Sequence, residues 1–580
     1  MKRIVSLLLC AAMIACAASV GASARKMQEP SRKDAYPVVL IPGILENALV
    51  RDKGKPTEKV IWFPMDRFIA SFARHAAEVV RCLALSDLPA IHKVASKIIP
   101  EIAEPIRIDP DGSSHYDISP LVIGAQNCSY SILQKRGMLR RVTYGPMMLR
   151  DVAERIGGDR AFVFQYDWRL SAVDMAKQLH DFIKDVKAMT GSDKVNVCGT
   201  SYGCEVLLCY LDAYGSGDFH RVLMNSPAYG GTEIFREMLA SDAKPHINYE
   251  NLFKMFLSNY GVDTELGYLL RLMPKNSIDV IFDAGIESFL KPYFMTSIAL
   301  WGVCPPADYE EMKALLLDPV ENAEMIAKTD AQQAVMARAG EILRRAQSEG
   351  ARVCAIVNEG SSLITSLGSG DVLVDAGNGS GGVCLPIGEH FAGDYTPERT
   401  VCTDPAHDHV SYTGSLDLTN AYLPETTWVF YGQMHGQNYW DSRARALTVR
   451  LLTSDEIEDV HTDPAFPQFC ENAMAVSDVS LTLKGHPASV LHPADGAVTA
   501  VLENHTPRHA VRIRAIEADG VPYTFSDTQM LLLPGKSAEI VLTPTGEASG
   551  RYGSVTIVYD EIPEIHLHKS RTQYFRIDQS

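Results

Sequence analysis

The sequence predicts an α/β protein with a doubly wound, mostly parallel sheet and helical cap insertions, followed by an all-β sandwich. In residues 36–470, short apolar runs alternate with helical patterns, and one such run leads into a G-x-S-x-G turn at 199–203. Residues 475–580 instead show alternating apolar and polar positions separated by turns, which predicts the sandwich. The length of 580 residues also favours two or three domains over one core.

The N-terminus has the pattern of an export signal. A basic pair precedes an apolar run at 4–15 that is too short to span a bilayer, and an A-x-A cleavage site ends at residue 24. We therefore expect a signal peptide at 1–24, a disordered leader at 25–35 and a secreted protein. The alternative is a form anchored at the cell surface through lipid on Cys16, because the residues around it loosely resemble a lipoprotein box.

Composition excludes several classes of protein. The formal net charge of −17 argues against nucleic-acid binding and against electrostatic docking on anionic membranes. It does not exclude a lipid substrate, which apolar contacts alone can hold, and no run after the signal is long and apolar enough for a transmembrane helix. The cysteines are too few for a disulfide scaffold. Cys384 and Cys402, which flank a loop region, are the first pair to test for a disulfide.

The first strand of the sheet is the apolar run at 36–41, which Pro42-Gly43 ends. The residues that follow, about 60–130, are expected to form a first cap insertion over the sheet. This expectation rests on 62–105, where the apolar residues recur with helical periodicity and give little strand signal.

The later elements of the sheet alternate as βαβ units. Strands are predicted at 161–166, 221–226 and 353–357, and a helix at 171–190 has a continuous apolar face. Residues 232–350 are mostly helical in pattern and form a second cap insertion. Such an alternation implies right-handed crossovers and a parallel sheet covered on both faces.

The G-x-S-x-G turn makes Ser201 the candidate nucleophile. A β-prone run at 194–198 precedes the turn and an apolar helical pattern at 206–211 follows it, which is the context of a nucleophile elbow. An elbow holds its serine on a strained strand-to-helix turn, and flanking glycines let the backbone pass closely. An ordinary βα turn with a capping serine is the alternative.

A serine nucleophile needs a general base and an acid that orients the base, and α/β-hydrolases carry them in the chain order Ser, acid, His. His435 lies on the loop after a predicted strand at 427–431, from which it can reach over the carboxyl edge of the sheet. Asp371, in G-D-V-L-V after the strand at 353–357, is the candidate acid. Asp375 is the alternative, because the loop is rich in glycine and its register is open.

The oxyanion formed during acyl transfer needs two preset backbone N–H donors. The amide of Tyr202, directly after the candidate nucleophile, is one of them. The amide of Ile44 is the other, because Pro42-Gly43 brings it close at the end of the first strand.

Four motifs of the chain resemble the lecithin:cholesterol acyltransferase family, including its lysosomal phospholipase A and phospholipid:diacylglycerol acyltransferase branches. V-V-L-I-P-G at 38–43 resembles the opening motif of the family, and Y-D-W-R-L at 166–170 matches a longer and more specific string. G-T-S-Y-G-C at 199–204 matches the elbow in spacing, and S-P-A-Y-G-G at 226–231 resembles the A-P-W-G-G segment.

The resemblance implies an α/β-hydrolase that acts as a lipase, esterase or O-acyltransferase on phospholipid or glyceride esters at a membrane or micelle surface. It implies an acyl-enzyme and no metal or organic cofactor. It also implies that Trp62 corresponds to the lid tryptophan of the family. Thr200 stands where the family has His, and Tyr202 stands where it has Leu or Met, so we expect an unusual substrate. The predicted sandwich lies outside the resemblance.

One further group of residues could bind zinc. Cys402, Asp404, His407 and His409 lie close together in the sequence and offer zinc-ligating atoms. Their spacing matches no common zinc pattern, so the sequence favours a solvated polar loop and no metal site.

Two alternatives to a lipid enzyme remain open. The same residues could act on a non-lipid ester, such as an acylated glycan or a polyester. The chain could also be a non-catalytic surface or binding protein on the hydrolase fold. The apolar helical insertions favour a lipid, and the ordered set of Ser, acid and His favours catalysis.

Overall fold

The computed structural model describes most of the chain from residue 35 to residue 578. The predicted signal peptide at 1–24, Cys16, all but the last residue of the leader at 25–35 and part of the second cap insertion lie outside the described residues. The described ranges are 35–62, 65–142, 146–240, 247–248, 276–364, 366–392, 395–397, 402–404, 407–471, 479–484, 489–506, 509–546, 550–562 and 569–578.

The centre of the fold is a seven-stranded sheet in which every neighbouring pair of strands is parallel. Parallel neighbours need crossover connections, and the helices of the chain supply them. From one edge to the other the strands are Phe469–Glu471, Thr427–Tyr431, Arg352–Glu359, Phe219–Asn225, Val195–Thr200, Val38–Ile41 and Ala161–Val163.

Helices pack in two groups against this sheet, and the apolar side chains of its strands are buried. The sheet with its helices is α/β-hydrolase-like, so the predicted fold class is confirmed. One group comprises Ala172–Thr190, Tyr202–Tyr214, Ala323–Met336 and Ala339–Ser348, and the other comprises Pro146–Ile156 and Ser442–Thr453.

The helix predicted at 171–190 spans Ala172–Thr190. Ser171 caps its N-terminus by accepting a hydrogen bond from the amide of Val173, and Gly191 ends it in the left-handed conformation (φ 66°). These are the two capping preferences that a helix of this kind follows. Its apolar face, predicted from periodicity, is buried against the sheet.

Two sequence predictions need correction in the first half of the chain. The helices predicted within 62–105 are Met65–Ala84 and Leu88–Ala103, but Trp62 ends a strand, Lys59–Trp62. This strand belongs to a small antiparallel sheet, and only Ile61 in it is buried, so it lacks the alternation that identifies a strand.

The strand predicted at 161–166 is also shorter than expected, since it spans Ala161–Val163. The two strands that complete the small sheet with Lys59–Trp62 are Leu49–Arg51 and Ile118–Pro120.

The two segments predicted as cap insertions contact each other. Helix Leu88–Ala103 of the first insertion packs against helix Ser277–Gly285 of the second, and Val280 and Ile281 extend the apolar cluster around Ile91. The predicted insertion at 232–350 also includes Ala323–Met336 and Ala339–Ser348, which belong to the group packed against the sheet. Other helices of the insertion surround the buried Trp301 and Phe235. These helices are Ile234–Leu239, Lys291–Phe294, Ile298–Gly302 and Tyr309–Leu316, with a π-helical turn at Ile286–Leu290.

Short elements connect the larger ones. The short α-helices are Tyr130–Lys135, Leu139–Val142 and Ala376–Ser380, and the short strands are Ser361–Ser362, Asp371–Val372, Val383–Cys384 and Leu416–Asp417. Single 3₁₀ turns span Glu104–Ile106, Ala125–Asn127, Pro424–Thr426, Gln437–Tyr439 and Pro493–Asp495.

The C-terminal part is a pair of mainly antiparallel sheets with one shared apolar core, and its strands show the alternation that predicted a sandwich. In Ser537–Pro544, for example, Ile540 and Leu542 point into the core while their neighbours face solvent. One sheet contains Val479–Leu483, Val498–Asn504, Ser537–Pro544 and Tyr523–Phe525, and the other contains Val490–Leu491, Lys569–Ile577, Tyr552–Ile562, Ala510–Asp519 and Met530–Leu532.

All ten cysteines in the described part of the chain are free thiols. The pair chosen for a disulfide test, Cys384 and Cys402, is therefore not bonded. Cys198, Cys204 and Cys209 around the elbow are buried core residues, as their sequence context predicts. None of the described helices is long and apolar enough to cross a bilayer.

Candidate active site

Ser201 lies on the turn between strand Val195–Thr200 and helix Tyr202–Tyr214, with φ 52° and ψ −127°. A non-glycine residue rarely adopts a positive φ, so the surrounding structure must hold this strained turn in place. A Cβ atom at Gly203 would collide with the carbonyl oxygen of Ile41. A Cβ atom at Gly199 would lie 2.7 Å from the carbonyl oxygen of Gly203. Both glycines are therefore needed for the turn that presents Ser201.

His435 faces Ser201 from the loop after strand Thr427–Tyr431. Its Nε2 atom lies 2.8 Å from Ser201 Oγ. The loop is anchored to the segment after strand Phe219–Asn225, because the Asn438 side chain donates to the hydroxyl oxygen of Ser226 over 2.9 Å. The strand end therefore places the imidazole at the carboxyl edge of the sheet, where the elbow also lies.

Asp371 completes a chain of hydrogen bonds. Its Oδ2 atom lies 2.7 Å from His435 Nδ1, and its backbone carbonyl accepts the amide of His435 at 2.7 Å. Because an ionised carboxylate can only accept a hydrogen bond, this contact assigns the proton of a neutral His435 to Nδ1. The Nε2 atom is then free to accept a proton from Ser201.

The carboxylate of Asp371 is itself fixed by an unusual backbone. Val372 has φ 88°, which is a strained value for a β-branched residue. This conformation turns the amide of Val374 toward Asp371 Oδ1 over 2.9 Å, and the amide of Leu373 follows at 3.2 Å. The strained backbone at Val372 therefore holds the Asp371 carboxylate in a fixed position, from which it can accept the hydrogen bond of His435.

The alternative acid, Asp375, has a different role in the structure. It caps helix Ala376–Ser380 by accepting the amide of Asn378 over 2.8 Å. Burial raises its pKa above the ordinary value, partly offset by the backbone hydrogen bonds that it accepts. The structure therefore brings Asp371, and not Asp375, into hydrogen-bond contact with His435.

Opposing effects set the pKa of His435. Burial of the ring lowers the pKa, whereas the charge of Asp371 and its hydrogen bond raise it, and the nearby Glu46 raises it further. The net result is a pKa above the ordinary value of 6.5. The imidazole is therefore a somewhat stronger base than a free histidine.

Glu46 is a residue of the site that sequence reasoning missed. Its Oε2 atom accepts the amide of Gly43 over 2.7 Å and the hydroxyl of Tyr439 over 3.0 Å. Loss of water around the carboxyl group raises its pKa to about 7, although both hydrogen bonds and the charge of His435 act in the other direction. The only sequence signal is an acidic residue shortly after Pro42-Gly43, which is too common to select.

The candidate oxyanion donors, Ile44 and Tyr202, flank the same space. A Cβ atom at Gly43 would lie 2.8 Å from Ser201 Cβ, so the loop before Ile44 runs directly beside the nucleophile. The backbone amides of Ile44 and Tyr202 donate no hydrogen bond to any described residue. Because Tyr202 opens its helix, its amide also lies at the positive end of the helix dipole.

The Y-D-W-R-L motif supports this loop and does not line the site. Tyr166 donates its hydroxyl to the carbonyl of Pro42 over 2.5 Å, and Trp168 donates its indole N–H to the carbonyl of Asn47 over 3.2 Å. Arg169 forms a buried two-point ion pair with Asp167 over 2.8 and 2.6 Å.

Trp62 packs on the outer side of the same loop. Its indole N–H donates to the carbonyl of Leu45 over 2.8 Å, and its ring meets Trp168 edge to face at 5.5 Å. The structure therefore places Trp62, half-buried, next to the loop that carries Ile44, and its role toward a substrate stays a prediction.

The two unusual residues of the elbow do not point into the site. The ring of Tyr202 is fully buried, and its hydroxyl donates to the carbonyl of Leu170 over 2.7 Å. Thr200 is 2% exposed, and its hydroxyl oxygen faces the Asn225 side chain at 3.5 Å. The structure thus offers no contact through which either side chain would select a substrate.

No protein-family model and no curated protein matches the chain. Among solved structures, the Tle4–Tli4 complex matches 72% of this chain and 97% of its own at 11% identity, with a TM-score of 0.32. The match to the Bacillus licheniformis lipase BlEst2 in propeptide form covers 73% of this chain and 88% of the lipase chain, at 9% identity and with a TM-score of 0.22.

A third match is shorter. The periplasmic chaperone SfaE matches 17% of this chain at 8% identity with a TM-score of 0.15, and the matched region spans 57% of that chaperone. At such identities and TM-scores these structures assign no activity to the chain, and function must be argued from the site itself.

Proposed function

We propose that the protein is a serine-dependent acyl hydrolase or O-acyltransferase that acts on phospholipid or glyceride esters through an acyl-enzyme. The observation that carries the proposal is the unbroken hydrogen-bond chain Ser201–His435–Asp371, with 2.8 and 2.7 Å between its atoms. Ser201, the first member of this chain of hydrogen bonds, lies on a strained turn, and such a backbone persists only where the surrounding structure requires it.

In this mechanism Ser201 Oγ attacks the ester carbonyl while His435 Nε2 takes the hydroxyl proton. Asp371 keeps the imidazole in the required tautomer and stabilises the imidazolium that forms. The negative oxygen of the tetrahedral intermediate faces the amides of Ile44 and Tyr202, each worth about 3 kcal/mol of barrier.

The intermediate collapses when His435 returns the proton to the leaving alcohol, which leaves the acyl group on Ser201. Water or an acceptor alcohol then attacks the acyl-enzyme, again losing its proton to His435 Nε2. The second tetrahedral intermediate then breaks its bond to Ser201 Oγ, which takes the proton back from His435, so the acid or the new ester leaves and the free serine is restored.

The lipid part of the proposal rests on the motif resemblance and on the cap. Two large apolar side chains of the first insertion are solvent-exposed, Ile69 by 41% and Leu85 by 67%. Trp62 lies at the base of the same insertion. An esterase for acylated glycans or polyesters is the competing substrate class, because it would use the same three side chains.

A fluorophosphonate probe tests catalysis most directly. We expect the wild-type chain to label at one serine and the Ser201→Ala variant to lose the label. A matched control, Ser348→Ala, removes an exposed serine at a helix end and should label as the wild type does. Equal labelling of wild type and Ser201→Ala would support a non-catalytic protein instead.

The substrate class needs a product assay. Wild-type protein incubated with phosphatidylcholine vesicles should release fatty acid, and a long-chain alcohol should divert part of the acyl group into a new ester. Activity on a water-soluble acylated glycan without activity on vesicles would favour the competing substrate class.

We also propose that the chain is exported, on the pattern of residues 1–24. The intact mass of the protein recovered from the producing cell tests this proposal. Loss of residues 1–24 supports secretion, and a mass that corresponds to a lipid-modified Cys16 at the new N-terminus supports the anchored form.

A further inference from the structure

A second cluster of reactive side chains lies outside the candidate active site. We define the Cys402 cluster as Cys402, His407, His409, Glu425 and His461. Three of its members come from the loop between the short strands Val383–Cys384 and Leu416–Asp417, and the other two come from later parts of the chain. Asp404, which the sequence grouped with the first three, is not among the ligand atoms that converge here.

The distances in the cluster fit a bound metal ion. Cys402 Sγ lies 3.4 Å from His407 Nδ1 and 3.3 Å from His461 Nε2. One ring nitrogen of His409 and the ligand atoms of Cys402 and His407 all lie within 4.8 Å of one another, and the ligand atoms of Cys402, Glu425 and His461 form a second such group, so Cys402 belongs to both. Tetrahedral zinc with ordinary Zn–S and Zn–N bond lengths separates its sulfur and nitrogen ligands by about 3.6 Å.

Two imidazole nitrogens face the sulfur of Cys402. A single thiol carries one proton, so Cys402 can donate to only one of the imidazoles that face it. The other contact is a hydrogen bond only if that imidazole carries its proton on the nitrogen that faces the sulfur. A bound cation would instead be held by lone pairs of the sulfur and of both nitrogens at once.

His409 provides an independent sign of a ligand. Its ring is 4% exposed, and its Nδ1 atom lies 2.8 Å from Gln468 Oε1. The Gln468 amide group donates to the carbonyls of Pro424 and Thr427, so its oxygen must be the atom that faces His409. Nδ1 therefore carries the proton, and Nε2 presents a lone pair.

This Nε2 atom has no hydrogen-bond partner among the described residues, although it is buried. An unsatisfied buried acceptor is costly, so such atoms usually face a ligand, an ion or a water molecule. A ligating histidine typically donates its other ring N–H to an oxygen acceptor, as His409 does to Gln468.

We propose that Cys402, His407 and His409 bind one Zn²⁺ ion and that His461, whose Nε2 atom already contacts Cys402 Sγ, closes on the bound ion as the fourth ligand. One thiolate and three imidazoles are ligands that zinc favours, and four protein ligands leave no open position for chemistry. Binding deprotonates the thiol of Cys402 and releases its proton to solvent. The site is therefore structural and independent of the acyl-transfer function.

Glu425 supports the cluster from outside. Its Oε1 atom lies 3.8 Å from His461 Nε2, but it already accepts the amide of Thr403 over 2.6 Å and the hydroxyl of Thr403 over 2.7 Å. Thr403 follows Cys402 in the chain, so these hydrogen bonds of Glu425 help to hold the cysteine in place.

The position of the cluster indicates what the metal would stabilise. Asp408, between two of the histidine ligands, forms ion pairs with Arg551 and Arg576 of the C-terminal sandwich. A zinc ion would hold this loop to the segment that carries His461. It would thereby fix the surface on which the sandwich rests.

Metal analysis of the full-length protein tests the proposal. Protein purified without chelator should contain one zinc per chain, and chelator treatment should lower its Tm by several degrees, with recovery after ZnCl₂ addition. Chelator-treated protein titrated with Co²⁺ should show intense tetrahedral bands and a thiolate charge-transfer band. Absence of both stoichiometric zinc and the thiolate band would overturn the proposal without any variant.

Variants then assign the ligands. Cys402→Ser and His407→Ala should lose stoichiometric zinc. Cys384→Ser, a half-buried cysteine outside the cluster, and His115→Ala, a surface histidine, should keep it. Equal zinc content in all four variants would contradict the site.

The fourth ligand is tested separately. His461→Gln should lower zinc affinity at least tenfold, because it removes an inner ligand, whereas Glu425→Gln should keep one zinc per chain. The reverse result would overturn the assignment of His461. Far-UV circular dichroism of each variant identifies any that fail to fold, and for those the Co²⁺ titration of the wild type decides.

Discussion

The Ser201 site and the Cys402 cluster are built in different ways. Ser201 and His435 directly follow strands of one parallel sheet, and Asp371 lies in a short strand pair beyond the end of a third, Arg352–Glu359, so the three groups meet at one edge of the sheet. The members of the Cys402 cluster lie on irregular segments, and only packing and the proposed zinc ion bring them together. The first site is preorganised by the sheet, whereas the second depends on its ligand.

The largest expected effect separates the two regions. Ser201→Ala should lower turnover by about 10⁶, because it removes the atom that forms the acyl-enzyme, and should leave the zinc content unchanged. Cys402→Ser should lose zinc and keep turnover within a few-fold at temperatures well below its Tm. Steady-state kinetics and metal analysis of both variants give the comparison. A parallel loss of turnover and zinc in Cys402→Ser would show that the regions are coupled.

The second prediction concerns the acid of the Ser201 site. Asp371→Asn should lower turnover by about 10⁴, since an amide N–H facing Nδ1 would favour the tautomer whose Nε2 cannot accept a proton. Asp375→Asn should instead change stability little, because Asn caps a helix about as well as Asp does, and should keep most of the activity. Kinetics and urea unfolding of both variants check this. If Asp371→Asn kept full activity and Asp375→Asn lost it, Asp375 would be the acid that orients His435.

The elements that the sequence predicted share a local signal. The elbow strand, its helix and strand Thr427–Tyr431 each carry a continuous apolar pattern, and the position of His435 on the loop after that strand selects it from the other histidines that follow Ser201. The sequence left two candidates for the acid, Asp371 and Asp375, because the glycines of their loop leave its register open. Periodicity and order therefore suffice where side chains follow regular elements.

The parts that were missed depend on distant segments. The strand that ends at Trp62 exists because two other short strands pair around it, and Glu46 matters because Tyr439 approaches it from far along the chain. His461 joins the Cys402 cluster in the same way. No local pattern reports such contacts, since the folded backbone creates them.

A third prediction tests the link between Glu46 and His435 through pH. Activity needs a neutral imidazole, so turnover should fall as the pH drops through the pKa of His435, which lies above 6.5. The Glu46 carboxylate contributes to that rise. Glu46→Gln should therefore move the acid limb of the pH–rate profile to lower pH. An unchanged acid limb would show that Glu46 does not affect the pKa of His435.

The same residue should change stability. Its pKa in the folded protein is about 7, above the ordinary 4.5, so the folded state holds this proton more tightly than the unfolded state does. The stabilisation is complete below pH 4.5 and is lost as the pH rises through 7. Relative to wild type, Glu46→Gln should gain about 1–3 kcal/mol between pH 5 and pH 8. Urea unfolding at both pH values measures this, with the exposed Glu341→Gln as a control that should show no such gain.

The smallest expected effect concerns Tyr202, a motif residue whose side chain lies in the core. Tyr202→Phe removes a buried hydrogen bond to the carbonyl of Leu170 and should cost about 1 kcal/mol of stability. It should leave turnover and the preference among acyl esters within about twofold, because the ring does not reach the nucleophile and the backbone amide is retained. Unfolding and competition kinetics with two ester substrates test both parts. A changed preference between the two esters at unchanged stability would show that the Tyr202 ring contacts the substrate. The residue after the nucleophile would then contribute to substrate selection.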